Sequence, residues 1–149
     1  MIEKERKFKL KYLPELGEYF KSPKNIKQGY LIVNDNKNLR IRIINDKSCY
    51  LCYKQDISED SRYEFEYLIP EKEGKKLYEL AEFKLEKKRY ITTFQYHKVE
   101  IDIYPSGLGI VEIEFLEDLE SLPDYCGEEV TGINIYSNIY LAKSNIEFF

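Results

Sequence analysis

The chain has 149 residues, 43% of them apolar and 34% charged, with a formal net charge of −4. That length fits one domain, residues 1–149, large enough to bury a core without disulfides or a structural metal, and the acidic balance argues against a nucleic-acid backbone as partner for the surface as a whole. Charge begins at Glu3 and Lys4 with no apolar leader, and no apolar run is long enough to span a bilayer, so a cytoplasmic protein that meets no membrane is expected. Alternating or β-rich segments then follow at about residues 2–11, 27–34, 38–44, 48–55, 62–69, 85–93, 95–104 and 109–117. Asn34-Asp35-Asn36 and Pro105-Ser106-Gly107 supply turn chemistry between strands. A short helix opened by Pro14 is expected over 14–20. A second is expected over 71–82, where Pro70, Glu71 and Glu73 open the run and Leu77, Tyr78, Leu80 and Ala81 form its apolar stripe. After Thr131, Ile135, Tyr136, Ile139 and Tyr140 recur at helical spacing, and Glu128 and Glu129 just ahead of them are expected to favour the N-terminal dipole of that helix.

Many strands and few helices imply a mainly β fold: an eight-stranded antiparallel sheet that removes its edges by closing into a barrel. Three cysteines, an odd number, fit free thiols in a reducing compartment. Cys49 and Cys52 form a CxxC inside a strand, where positions i and i+3 point to opposite faces, so neither a redox pair nor a zinc site is expected. His97 is the sole histidine, has no partner motif and is expected to be structural.

Charge repeats at a spacing of two on strand after strand. Glu3, Glu5 and Lys7 share one face of an extended segment, and the pattern returns as Arg40 with Arg42, Arg62 with Glu64 and Glu66, Lys87 with Arg89, Glu100 with Asp102, and Glu112 with Glu114. Alternation alone favours charged faces in water over an apolar barrel core. Sorting into Glu-x-Glu and Arg-x-Arg pairs points the other way, because rows of like charge are costly unless something polyvalent lies against them. The acids Glu3, Glu5, Glu64, Glu66, Asp102, Glu112 and Glu114 balance the bases Lys7, Arg40, Arg42, Lys54, Arg62, Lys87 and Arg89. Lining a tunnel, the acids would suit about two divalent cations, Mg2+ or Mn2+ as hard ions with oxygen ligands, and the bases a triphosphate.

The segment IEKERKF resembles the ExExK opening of CYTH-domain proteins, the triphosphate tunnel metalloenzymes. The likeness continues through QGYL at 28–31, LRIRI, Tyr53-Lys54, RYEFEYLI, KKRY at 87–90, EIDIY, VEIEF and the tail EEVTGINIYSNIYLA. It implies an eight-stranded antiparallel tunnel with a charged interior and helices packed outside against the apolar strand faces. It further implies metal-dependent hydrolysis of a triphosphate, with inorganic tripolyphosphate the favoured substrate because no insertion offers a base or thiazolium pocket. A class IV-like adenylate cyclase, a thiamine or nucleoside triphosphatase, and a non-catalytic polyphosphate-binding module are the alternatives. By the same resemblance Glu3, Glu5, Glu64, Glu66, Asp102, Glu112 and Glu114 would share the metals. Lys7, Arg40, Arg42, Lys54, Arg62, Lys87 and Arg89 would hold phosphate, and Glu3, Glu5, Lys7 and Lys87 would serve catalysis directly. Arg62 either lines the tunnel or neutralises Glu64 and Glu66, Tyr30 is read as packing more than substrate contact, and Glu100 is placed at the tunnel mouth. A homodimer is left open.

Overall fold

The computed structural model describes the backbone of residues 2–15 and 23–147 and the side-chain environments of 4–15 and 23–143. The helix expected over 14–20 lies mostly outside the described residues, as does the side chain of Glu3. The strands are β1 (Ile2–Leu10), β2 (Lys24–Asn34), β3 (Lys37–Ile44), β4 (Ser48–Asp56), β5 (Ser61–Ile69), β6 (Phe83–Phe94), β7 (His97–Ile103), β8 (Gly109–Glu114) and β9 (Cys126–Glu129). Helix α1 (Glu71–Leu80) joins β5 to β6, and α2 (Asn138–Glu147) follows a 3-10 turn at Asn134–Tyr136.

The strand order is β5-β4-β3-β2-β6-β7-β8-β1-β9, with β1 also pairing with β5, so β1 to β8 form the expected antiparallel ring. β1 divides its edges among three neighbours. Ile2, Glu3 and Lys4 pair with Tyr63, Arg62 and Ser61 of β5, Glu5 through Lys9 pair with β8, and Phe8 and Leu10 meet β9.

Hairpins make the ring. The β6–β7 turn is the two residues Gln95 and Tyr96, both at positive φ, the twist that matches such a hairpin, and the three-residue β3–β4 turn also takes positive φ at Asn45 and Asp46. A register shift in β2 between Tyr30 and Ile32 inserts one residue, so Tyr30 and Val33 both turn toward the same cluster although their numbers differ in parity.

Apolar faces point outward and are covered. Outside β1, β7 and β8, Phe8, Val99, Ile101, Val111, Ile113 and Cys126 pack together with Leu119 and Tyr125. Burying each large side chain contributes about 1.5–3 kcal/mol. The cover here is a non-helical stretch ending in β9, whereas helices alone were expected outside. Outside β3 and β4, α1 brings Leu77 and Tyr78 onto Ile41, Ile43 and Cys49. The approach is close at Gly74, where any Cβ would collide with the Cβ and Sγ of Cys49. Cys49 therefore lies outside the ring while Cys52, paired with Arg40, lies on the inner face, and both are free thiols.

One end of the ring is filled rather than open. Tyr30, Leu85, Tyr104 and Ile110 project inward and meet Val130 and Ala142, with Tyr136 and Ile139 against them. Glu128 and Glu129 belong to β9 and not to a helix start. Glu129 binds Arg6 at 2.7 Å and Glu128 lies 3.4 Å from Lys9, which corrects the expectation that they serve a helix dipole. The outer face of β5 is bare by contrast: Tyr63, Phe65 and Tyr67 are exposed, with Tyr63 and Phe65 stacked at 6.5 Å. No helix among the described residues is long and apolar enough to cross a membrane.

Candidate functional site

Strand parity fixes what enters the ring. Glu5 and Lys7 of β1, Arg40 and Arg42 of β3, Lys54 of β4, Glu64 and Glu66 of β5, Arg89 of β6 and Glu112 and Glu114 of β8 occupy inward positions, because their alternate neighbours form the outer core. Two cavities result. A first, of about 330 Å³, is lined by Glu5, Arg40, Arg42, Lys54, Glu64, Glu66, Arg89, Glu112 and Glu114 together with Lys24, Lys98 and Glu100. A second, of about 600 Å³, shares Arg40 and Lys54 and adds Lys7, Tyr30, Arg62 and residues of the C-terminal segment, Asn134, Ser137 and Asn138.

The charges are cross-paired. Arg40 lies 3.3 Å and Lys54 3.7 Å from Glu64, Arg42 hydrogen-bonds Glu66 at 2.8 Å, and Lys7 sits 3.4 Å from Glu112. Arg62 lines the second cavity and contacts Glu5 at 2.6 Å, so its ion pair is with Glu5 and not with the two acids of its own strand. That contact lacks hydrogen-bond alignment, which leaves Glu5 Oε1 and Arg62 Nε without hydrogen-bond partners. Asp102, with no exposure, takes a bidentate contact from Arg89 and a 2.8 Å contact from Lys87. Lys87 and Asp102 line neither of these two cavities. They form a sealed ion pair in the wall.

Burial and neighbouring charge together set the protonation pattern. Burial alone would raise Glu112, yet Lys7, Lys87, Lys54 and Arg89 hold it well below the usual carboxylate range. Glu5 moves the other way, raised by burial and then by the charge of Glu112, against Lys54, Arg62 and Lys7. Burial pushes Glu114 up to about 6, helped by Glu100, Glu5 and Glu112 and opposed by Lys98. Burial also lowers Lys87 to about 8, although Asp102 pulls against it.

Glu5 stands directly opposite Glu114 across β1 and β8, and Glu100 opposite Glu112 across β7 and β8. Like charges in facing positions destabilise a sheet. Four carboxylates so arranged on three adjacent strands are hard oxygen donors of the kind that suit Mg2+ or Mn2+. Among the described residues no three acidic, histidine or cysteine side chains converge closely enough to hold an ion unaided. Any cation held here would need water or ligand oxygens to complete its shell.

The acids named from the sequence thus separate by partner. Glu64 and Glu66 neutralise Arg40, Lys54 and Arg42, Asp102 is tied to Lys87 and Arg89, and Glu5, Glu112 and Glu114 stay together on β1 and β8, with Arg62 on Glu5 and Lys7 on Glu112. Glu100 joins that last group inside the cavity instead of marking its mouth, held by Arg89 at 2.6 Å. Tyr30 both packs and reaches the second cavity, where its hydroxyl interacts with Arg40. Sequence reading passed over Lys24, which lies beyond the expected start of β2, and Lys98, which shares parity with Glu100. Asn38 and Asn138 were missed because a lone amide carries no charge pattern. Asn138 ends the Tyr-x-Asn of the tail, a motif noted without a role.

The CYTH domain profile matches residues 1–143. An inorganic triphosphatase from Acetivibrio thermocellus is 36% identical over 130 residues, which is 83% of each chain. The crystal structure of the inorganic triphosphatase NE1496 superimposes with a TM-score of 0.68 at 29% identity, covering 94% of this chain and 93% of that one. A conserved hypothetical protein from Pyrococcus furiosus gives a TM-score of 0.64 at 25% identity, over 78% and 80% of the two chains. A closed ring of antiparallel strands with its charges turned inward, matched over nearly its whole length, belongs to the CYTH domain family.

Proposed function

We propose that the protein hydrolyses a triphosphate, inorganic tripolyphosphate above all, with Mg2+ or Mn2+. One observation carries this reading: a basic wall of Arg40, Arg42 and Lys54 faces an acidic wall of Glu5, Glu100, Glu112 and Glu114 across a single cavity. The likeness to chains named inorganic triphosphatases supports it.

Glu5, Glu112 and Glu114, with Glu100 beside them, would hold the divalent cations. Cations bound there would neutralise phosphate charge and lower the pKa of water. Arg40 and Arg42 would grip phosphate oxygens with their planar forks, while Lys7 and Lys54 add point charges from the two sides of the shared wall. These groups are fixed before substrate arrives, so charge building on the leaving phosphate meets preorganised donors. A proton released by attacking water needs an acceptor. Glu5, which lines the cavity and is raised by burial and by Glu112, is the group shifted toward that task.

Phosphate release measured across tripolyphosphate, thiamine triphosphate, ATP and GTP, with cyclic AMP assayed in parallel, tests the assignment. Fastest release from tripolyphosphate is expected, and only with a divalent cation. Cyclic AMP as the main product from ATP would replace it with a cyclase. Calorimetric binding of tripolyphosphate with no turnover would replace it with a binding module.

A further inference from the structure

Helix α2 begins with its cap already made. The hydroxyl of Ser137 accepts the backbone N–H of Tyr140, the usual service of a residue just before a helix to the third position within it. The side chain of Asn138 is therefore not needed to start the helix. It is 9% exposed and enters the ring, where its Oδ1 accepts from Lys87 Nζ at 3.2 Å and from the hydroxyl of Tyr104. Lys87 is 51 residues away on β6, and its side chain has no exposure.

An ammonium has three hydrogens and no acceptor. Asp102 takes one at 2.8 Å and Asn138 a second, so two of the three are already placed. With Asp102 alone, Nζ could pivot about that contact on its four-carbon stem. Two acceptors from different elements remove the pivot. The Tyr104 ring, 5.8 Å from Nζ, closes another side, and the Tyr104 hydroxyl in turn fixes Asn138.

We infer that Asn138 is the positioning residue of Lys87, so that seating of the C-terminal helix orients a cation in the tunnel wall. The inference rests on the triphosphate reading for its effect on turnover, since the Lys87 charge stands behind the wall that the polyanion would meet there and holds Asp102 and Glu112 ionised. Asn138 lines the second cavity while Lys87 lies sealed behind, so the amide links the two. A misplacement of about 1 Å in such a group lowers turnover roughly a hundredfold.

Three variants decide it: N138L, which keeps the shape and loses the acceptor, N138D, which keeps the acceptor, and N138L combined with K87M. N138L should lower kcat for tripolyphosphate about 10- to 100-fold with KM within about threefold, and N138D should keep kcat within about fivefold. In the K87M background N138L should cost less than about twofold more, since its partner is already gone. Wild-type kcat in N138L, equal losses in N138D and N138L, or multiplying losses in the double variant would each overturn the inference. A readout free of turnover is the 15N signal of the Lys87 ammonium in lysine-labelled protein, assigned by its absence in K87M. It should be slowly exchanging in wild type and N138D and broadened or shifted in N138L; the same signal in all three overturns the inference even if N138L is unstable in the assay. Failure of wild-type protein to release phosphate from any triphosphate would sink the functional reading, and the ammonium signal would still judge Asn138.

Discussion

Replacing Glu112 by glutamine removes one charge from the acidic wall and keeps its shape. At 3.4 Å the Lys7 contact is worth about 5 kcal/mol at an effective dielectric of 20. Glu100, directly opposite on β7, repels Glu112 from about 5–6 Å and returns about 3 kcal/mol when that charge goes. From Lys7 and Glu100 alone the loss of stability is then about 2 kcal/mol, a fall in Tm of about 4–8 °C for a chain of this size, with Lys54, Lys87 and Arg89 adding to it and relief of burial and of Glu5 subtracting. Function should suffer more than stability. Loss of one metal-side donor is expected to lower kcat/KM with Mg2+ by about 10²–10³. Affinity for tripolyphosphate without metal should rise, because the cavity has lost a repelling charge. Differential scanning fluorimetry in EDTA, phosphate release with Mg2+ and metal-free calorimetry measure the three quantities. Turnover within threefold of wild type, together with unchanged metal-free affinity, would refute the claim that Glu112 faces the path of the polyanion.

Three further outcomes follow from the same geometry. Glu114 is raised from 4.5 to about 6, so its charge costs the fold nothing below 4.5 and its full amount above 6. E114Q should therefore raise the Tm of metal-free protein above pH 6 and leave it unchanged below 4.5, and a uniform shift at every pH in thermal melts would contradict the assignment. Arg40 borders both cavities, so R40M should raise KM for tripolyphosphate about tenfold or more in initial-rate assays, and an unchanged KM would remove it from the phosphate wall. G74A drives a methyl group into Cys49 beneath α1 and should destabilise by about 1–3 kcal/mol in urea titration, with activity per folded molecule retained; unaltered stability would mean that α1 is not seated where it is described.

The eight ring strands were legible because period-two charge and period-two apolarity run through the same segments, each confirming the other. β9 was not, since Cys126-Gly127-Glu128-Glu129 alternates nothing, and the two acids resembled a helix start. The turn at Gln95 and Tyr96 lacks the glycine or asparagine that announces positive φ, so β7 was read as beginning too early. Which charge meets which was beyond a linear reading. Glu5 finds Arg62, 57 positions on, only because the ring closes there, and Arg40 prefers Glu64 because β4 holds β3 and β5 one strand apart. Asn138 was invisible for a further reason: an amide's role depends wholly on its partners, and these come from β6 and from Tyr104, just past the end of β7.

The join between β1 and β5 is short, three facing residues against eight between β3 and β4. A hoop sewn unevenly opens at its thinnest stitch. Amide protons of Ser61 and Arg62 should exchange with solvent sooner than those of Ile41 or Leu51, and transient parting there would admit bulky polyanions sideways without unthreading any hairpin. The Glu5–Arg62 contact closes the end of that stitch, and with side chains only 3% and 14% exposed it is shielded from salt, so the opening should change little with ionic strength.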